Sequence, residues 1–303
     1  MIQAVIDIGS NTVRMALYEV GSGCPEQLLK RKQIVGLASY VKDGIMQEEG
    51  IEKAVSVLTE FKDFLKRLSI KNVAAFTTAA LRNAKNSREA VSRIEEETGI
   101  SIRVLSGDEE ALFDFVGATH DVPEDSGLLI DIGGGSTELV LYEKKEIKRQ
   151  TSLPLGSLAL RTGRVKATLP TPDEITAMRK TAEKELDLST WSGIEAPFIC
   201  GIGGTFKGAR AVYNSCFGLP ADNRVMDTEK LSELLSRFAL GDNIPEGELL
   251  VLLRADPDRI HTLLPGLVIA DTLFRHFGVK QAVYSDSGVR EGFLYSEILS
   301  KMQ

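Results

Sequence analysis

Two stretches of this chain are copies of each other. Ile6-Asp-Ile-Gly-Ser-Asn-Thr-Val-Arg-Met-Ala-Leu-Tyr-Glu19 aligns without a gap on Ile130-Asp-Ile-Gly-Gly-Gly-Ser-Thr-Glu-Leu-Val-Leu-Tyr-Glu143, and seven of the fourteen positions are identical. The copies lie 124 residues apart, a domain-sized period, so a duplicated domain is expected rather than a solenoid. Each copy runs an apolar segment (Ala4-Val-Ile, Leu128-Leu-Ile) into a turn and resumes with alternating apolar residues, as a β-hairpin does. Each places an aspartate where the first strand enters the turn.

Between the copies the pattern is α/β. Ile51, Ala54, Val55, Leu58, Phe61, Leu65 and Leu68 recur at helical spacing. A strand is predicted at 72–77, a polar helix over 87–98 and a strand at 101–105. A further helix opens at Ser106, with Glu109 at capping-box spacing. The segment Asp121-Val-Pro-Glu-Asp-Ser-Gly127 is the expected linker. Helices are predicted around 173–186, 228–239 and 266–277, with a last one from Val289. Strands alternating with helices favour partly parallel sheets covered by helices. The domains expected are 1–122, completed by 291–303, and 123–290.

Composition removes several functional classes. With 36 Lys+Arg against 43 Asp+Glu the net charge is −7, so no nucleic-acid or membrane partner is expected. No apolar run approaches the ~18 residues of a membrane span; LLPGLVIA is broken by Pro265 and Gly266. No basic region precedes an apolar run at the start, so no signal peptide is expected. Cys24, Cys200 and Cys216 are too few and scattered for a disulfide framework, and read as reduced thiols of a cytoplasmic protein. Three histidines leave little room for histidine chemistry, which points to carboxylates.

Four segments suit phosphate. In Asp131-Ile-Gly-Gly-Gly-Ser-Thr-Glu138 three glycines let backbone amides converge on an anion, and Ser136 and Thr137 add hydroxyls. Asp131 and Glu138 at the two ends would need a cation between them, for which Mg²⁺ is suited. The alternative is a tight hairpin whose glycines serve turn geometry alone. Asp7-Ile-Gly-Ser-Asn11 keeps the acid, with Ser10 and Asn11 as donors, or is a relic of duplication. Gly201-Ile-Gly-Gly-Thr-Phe-Lys-Gly208 runs a strand into glycines and a helix start, a place for phosphate, although it is not a Walker A motif. Asp108-Glu109-Glu110 either complements a helix dipole or supplies a general base. Arg82 either clamps phosphate or is solvated.

Taken together, these segments resemble the actin/Hsp70/sugar-kinase superfamily and, more narrowly, the exopolyphosphatase/guanosine pentaphosphatase (Ppx/GppA) phosphatases. The resemblance is carried by Ile6-Asp-Ile-Gly-Ser-Asn11, Thr78-Ala-Ala-Leu-Arg-Asn-Ala84, Leu105-Ser-Gly-Asp-Glu-Glu-Ala111, Ile130-Asp-Ile-Gly-Gly-Gly-Ser-Thr-Glu-Leu-Val140, Gly203-Gly-Thr205 and Ser287-Gly-Val-Arg-Glu-Gly-Phe-Leu-Tyr295. It implies duplicated actin-like (ribonuclease H-like) domains with an active site in the interdomain cleft. It implies Mg²⁺-dependent release of terminal phosphate from polyphosphate, with Mn²⁺ as a substitute metal, and a homodimer. On this pattern Glu110 activates water, Asp131 and Glu138 are catalytic and hold the metal with Asp7, and Ser10, Asn11, Arg82, Gly134, Gly135, Ser136, Gly203, Gly204 and Thr205 bind phosphate. The same cleft would serve guanosine pentaphosphate in the stringent response. A superfamily kinase or a non-catalytic phosphate sensor are the remaining alternatives. The helical C-terminal extension of longer members is missing, which bears on chain-length preference. A cluster of Arg161, Arg164 and Lys166 is a candidate approach path for a polyanion, and His261 is expected at the surface without a catalytic role.

Overall fold

In the computed structural model, which describes all residues except 22, 23, 120, 121, 123, 187, 195, 197, 302 and 303, the chain divides into two units. The first comprises Met1–Glu110 and Phe293–Gln303, the second Ala111–Gly292.

The first unit contains β1 (Ile2–Ile8), β2 (Thr12–Glu19), β3 (Glu26–Ile34), a two-residue hairpin of β4 (Val41–Lys42) and β5 (Ile45–Met46), β6 (Val73–Thr77) and β7 (Ile102–Val104). Its main sheet has the order β3-β2-β1-β6-β7. The hairpin strands β1 and β2 pair antiparallel, as do β2 and β3, while β6 and β7 extend the sheet parallel to β1. β1 is buried along six of its seven residues, the signature of a central strand covered on both faces. β3 is the edge and exposes Lys30, Arg31 and Lys32, charges that discourage edge-to-edge pairing. Helices α1 (Glu48–Arg67), α2 (Ala79–Arg82) and α3 (Ser87–Thr98) complete this unit. Ile51, Ala54, Leu58, Phe61 and Leu65 of α1 pack with Ile6, Ile8 and Met15, as the helical spacing predicts.

Helix α4 (Gly107–Ala118) carries the chain from one unit to the other. The second unit repeats the first: β8 (Gly127–Ile132), β9 (Thr137–Glu143), β10 (Glu146–Leu153), β11 (Ile199–Ile202), β12 (Val225–Asp227) and β13 (Gln281–Tyr284) form a sheet of order β10-β9-β8-β11-β13-β12. The duplicated strands occupy equivalent places, an antiparallel hairpin followed by parallel additions, and β12 is an extra antiparallel edge. Helices α5 (Ser157–Arg161), α6 (Pro172–Glu185), α7 (Gly203–Cys216), α8 (Thr228–Arg237), α9 (Glu246–Ala255), α10 (Ile260–Phe277) and α11 (Val289–Phe293) follow. One face of the sheet, with Leu128, Ile130 and Ile132, packs on Phe206, Leu263 and Leu267. The alternate residues Leu129, Cys200 and Ile202 pack on Ala111, Phe115 and Ala118 of α4.

That second packing places the division at Glu110/Ala111, against the 122/123 boundary expected from the Pro- and Gly-bearing segment. The apolar stripe of α4 belongs to the second sheet. Residues 121 and 123 of the expected linker lie outside the described residues. Two other elements differ from expectation. α10 begins at Ile260 and contains Pro265, and Gly266 lets it approach Thr205: a Cβ there would sit 2.5 Å from Thr205 Cγ2. The last helix is α only to Phe293 and continues as a π turn over Leu294–Ile298.

Candidate active site

The glycine turn of the second repeat is shaped by α5. The first-turn amide of Ser157 donates to the Gly133 carbonyl at 2.8 Å, and those of Leu158 and Ala159 to the Gly134 carbonyl at 3.0 and 2.9 Å. Gly156 makes the approach feasible, since a Cβ on it would meet Gly134 C and Gly135 N at 2.4 Å. Among the described residues no peptide is cis. In a trans peptide the N–H points opposite to the preceding carbonyl, so the amides of Gly134 and Gly135 face away from α5. That leaves two donors on the open side of the turn, an arrangement that receives anions. Ser136 is buried beside them.

Asp131 on β8 and Glu138 on β9 are cross-strand partners, which puts their side chains on one face of the sheet. A third carboxylate joins them from α4: ligand oxygens of Asp114, Asp131 and Glu138 lie within 4.8 Å of one another. Asp114 and Glu138 are fully buried. Ser152 donates its hydroxyl to Glu138 Oε1 at 2.7 Å. Gly203, the first residue of α7, has φ +74°, and a Cβ on it would lie 2.1 Å from Asp131 Oδ1. Carboxyls this close, Asp114 and Glu138 fully buried and Asp131 half-buried, are stable where positive charge or protons offset their repulsion. An all-oxygen set of carboxylates fits a hard divalent ion such as Mg²⁺.

The equivalent register in the first repeat is filled differently. Asp7 on β1 faces Arg14 on β2, just as Asp131 faces Glu138, and Arg14 Nη1 pairs with Asp7 Oδ2 at 3.0 Å. The Asp7 carboxylate is buried and already neutralised by a guanidinium. Ser10, buried, and Asn11 form the turn that follows, and their carbonyls accept the amides of Ala38, and of Val35 and Gly36.

The acidic start of α4 divides its labour. Glu109 closes a capping box with Ser106, its amide donating to Ser106 Oγ at 3.1 Å and its carboxylate accepting from the Ser106 amide at 2.8 Å. That backbone bond, with help from the Arg103 guanidinium, holds its carboxyl below the usual glutamate range. Asp108 is exposed. Glu110 is buried, and its carboxylate accepts from the Arg82 guanidinium at the end of α2. Arg82 also reaches the Leu105 carbonyl at 3.4 Å. Four residues on, Asp114 lies one turn from Glu110, about 6 Å along the helix axis and on the same side.

At the third glycine turn each residue has a packing duty. Gly203 approaches Asp131, and Gly204 leaves room for the guanidinium of Arg259, whose Nη2 would be 1.6 Å from an added Cβ. Thr205 is buried, and its hydroxyl donates to the Ile132 carbonyl at 2.7 Å. His261 is exposed. Arg161 donates to the Ala167 carbonyl at 2.8 Å, and Arg164 and Lys166 are exposed beside it, just past α5.

Two residues escaped the sequence reading. Asp114 sits among Leu112, Phe113 and Phe115 and reads as an isolated acid in an apolar helix; its i+4 spacing from Glu110 was the available signal. Arg259 lies in Asp-Pro-Asp-Arg, where only the fold brings it over α7.

Comparison with known proteins finds relatives along nearly the whole chain. Exopolyphosphatase 1 of Mycobacterium tuberculosis is 24% identical over 306 residues, covering 98% of this chain and 88% of that relative. The guanosine-5'-triphosphate,3'-diphosphate pyrophosphatase of Vibrio cholerae is 26% identical over 303 residues, covering 97% of this chain but 59% of that relative. The solved structure of the Aquifex aeolicus PPX-GPPA enzyme superposes with a TM-score of 0.75 at 30% identity, covering 98% of this chain and 99% of that one. The sequence model of the Ppx/GppA phosphatase family matches residues 16–301. The duplicated actin-like fold, its glycine turns and this match across nearly the whole length place the chain in the Ppx/GppA phosphatase family.

Proposed function

We propose that this phosphatase is an exopolyphosphatase, which hydrolyses the terminal phosphoanhydride of inorganic polyphosphate and uses Glu110 to activate water. The observation that carries the reading is α4 itself, which holds Glu110 and Asp114 a turn apart while Asp114 joins Asp131 and Glu138 in a carboxylate cluster suited to a cation. An exopolyphosphatase among the relatives supports polyphosphate as the substrate.

In this reading the amides of Gly134 and Gly135, with Ser136, receive oxygens of the terminal phosphoryl group. Ser10 and Asn11 contact the same chain, and Arg82 neutralises charge on it. Gly203, Gly204 and Thr205 hold Asp131 and border the site. Asp131 and Glu138 would hold Mg²⁺, which supplies charge neutralisation on the phosphoryl oxygens. Asp7, the remaining carboxylate assigned to the metal, has the Arg14 guanidinium as its partner.

Glu110 accepts a proton from water as the water oxygen bonds to the terminal phosphorus. The bridging P–O bond breaks, and its electron pair stays on the shortened chain. The products are orthophosphate and a chain one unit shorter. Because phosphoryl transfer is mostly positioning and electrostatics, these few groups suffice.

The test measures phosphate release from long polyphosphate, short polyphosphate and guanosine pentaphosphate, with and without Mg²⁺. The expected result is Mg²⁺-dependent release, fastest from polyphosphate, with Glu110→Gln lowering kcat by roughly 10²–10⁴-fold while the fold is kept. Full activity in that variant would remove Glu110 from the mechanism. Faster turnover of guanosine pentaphosphate would reassign the substrate.

A further inference from the structure

Helix α9 is covered on one side only. Leu252 is fully buried, and Val251 and Ala255 pack beside it on the core of the second unit. Glu248 is held on the same side by Arg237 at 3.0 Å. The opposite side is apolar as well: Leu250 and Leu253 are 41% and 43% exposed, with Leu249 half-buried next to them. A helix that is apolar all round is normally a buried one. At 3.6 residues per turn Glu246, Leu250 and Arg254 fall on one line along the exposed side, and Gly247 and Leu253 flank it. Glu246 and Arg254 are exposed and have no ion pair among the described residues.

That stripe is complementary to itself. Glu246 and Arg254 stand four residues either side of Leu250, at the acidic start and the basic end of the helix. Two copies laid parallel would set Glu246 against Glu246 and Arg254 against Arg254. Laid antiparallel, with Leu250 on the two-fold axis, each copy brings its Glu246 level with the partner's Arg254, and the two helix dipoles oppose. Leu249, Leu250 and Leu253 then share one seam with their counterparts. Gly247 comes level with the partner's Leu253 and has no side chain to hold the helices apart; a Cβ on it would meet nothing within 4 Å in its own chain.

We propose that α9 is a dimer contact: a second copy of this chain docks on it, helix against helix and antiparallel, across a two-fold axis at Leu250. The seam is one helix wide, so pairing is expected in the micromolar range, at the low end of specific interfaces. It uses no residue assigned to phosphate or metal, and so stands apart from the proposed activity.

The test is sedimentation velocity of the full chain over a concentration series through the micromolar range. The wild-type sedimentation coefficient is expected to rise with concentration toward that of a dimer. Leu250→Glu sets two like charges against each other at the axis and is expected to raise Kd at least about tenfold. Glu246→Arg or Arg254→Glu alone puts like charges level across the seam and is expected to raise Kd about threefold. The two reversals combined exchange the charges and are expected to restore Kd to within about twofold of wild type.

Wild type that stays monomeric throughout overturns the inference; if it then cosediments with phosphatidylcholine vesicles, the stripe is a lipid contact instead. A dimer indifferent to Leu250→Glu moves the contact off α9 and overturns it as well. A combined reversal that pairs as weakly as the single ones overturns the antiparallel arrangement. Thermal melts confirm that each variant is folded, and if Leu250→Glu is not, the charge exchange decides alone.

Discussion

At Gly203 three demands meet in one residue. The backbone takes φ +74°, α7 starts there, and Asp131 Oδ1 occupies the space where a side chain would begin. A carboxylate set against a helix N-terminus is stabilised by the amide dipoles. Gly203→Ala would impose a left-handed conformation on a residue with a Cβ, at a cost of about 1–3 kcal/mol, and would push Asp131 aside. The expected outcome is a lower melting temperature together with a rise in the Mg²⁺ concentration needed for half-maximal phosphate release. A variant that melts lower but keeps the Mg²⁺ requirement would show that Gly203 serves the backbone alone. Sequence reading found this glycine by its motif and gave it to phosphate. What the motif could not say is that the glycine's nearest polar neighbour is a carboxylate, because that contact joins residues 72 positions apart.

Among the elements, α4 shows best why some features were legible and others were not. Its start was readable, since Ser106 and Glu109 announce a capping box and form one. The sheet on which it packs was not readable, because Ala111, Phe115 and Ala118 would suit the apolar face of either copy, and only the tertiary fold decides. The hairpins were readable for the opposite reason, being local and doubled. Arg103 fastens the first turn of α4 to the C-terminal segment. It pairs with Glu109 and, at 2.9 Å, with Glu297. Lys301 first and Arg103 second hold the Glu297 carboxyl below its ordinary value near 4.5, and Glu109 is lowered chiefly by the Ser106 amide and then by Arg103. A depressed carboxyl pKa adds stability that is present above the unfolded value and is lost as pH falls through the folded one. Arg103 is 39% exposed, so solvent screening reduces the contribution to about 0.5 kcal/mol. Arg103→Ala should destabilise the protein by about that much in urea at pH 7, and the difference should shrink toward zero as pH drops below the ordinary value. A gap that stays constant down to pH 3 would assign the loss to packing of the arginine stem.

For the whole molecule the question is how a chain of net charge −7 would accept the polyanion proposed as its substrate. Long-range repulsion is set by the sum of charges, whereas binding is set by those within a Debye length, ~8 Å at physiological ionic strength. Beyond the glycine turn, Arg161, Arg164 and Lys166 gather three cations on the segment that begins with α5, the helix that shapes that turn. If these local charges govern binding, salt weakens it: KM for polyphosphate rises with ionic strength while kcat stays nearly constant. If the global charge governs, salt screens repulsion and KM falls. We expect the rise, and expect Arg164→Glu with Lys166→Glu to raise KM several-fold at low salt, with the difference narrowing as salt increases. Arg161 donates to the Ala167 carbonyl and Arg164 to the carbonyls of Ala159, Leu160 and Thr162, so a thermal melt of the doubly reversed variant separates folding from binding. A KM indifferent to the two reversals would move the approach path elsewhere, with the edge strand bearing Lys30, Arg31 and Lys32 as the next set of cations to reverse.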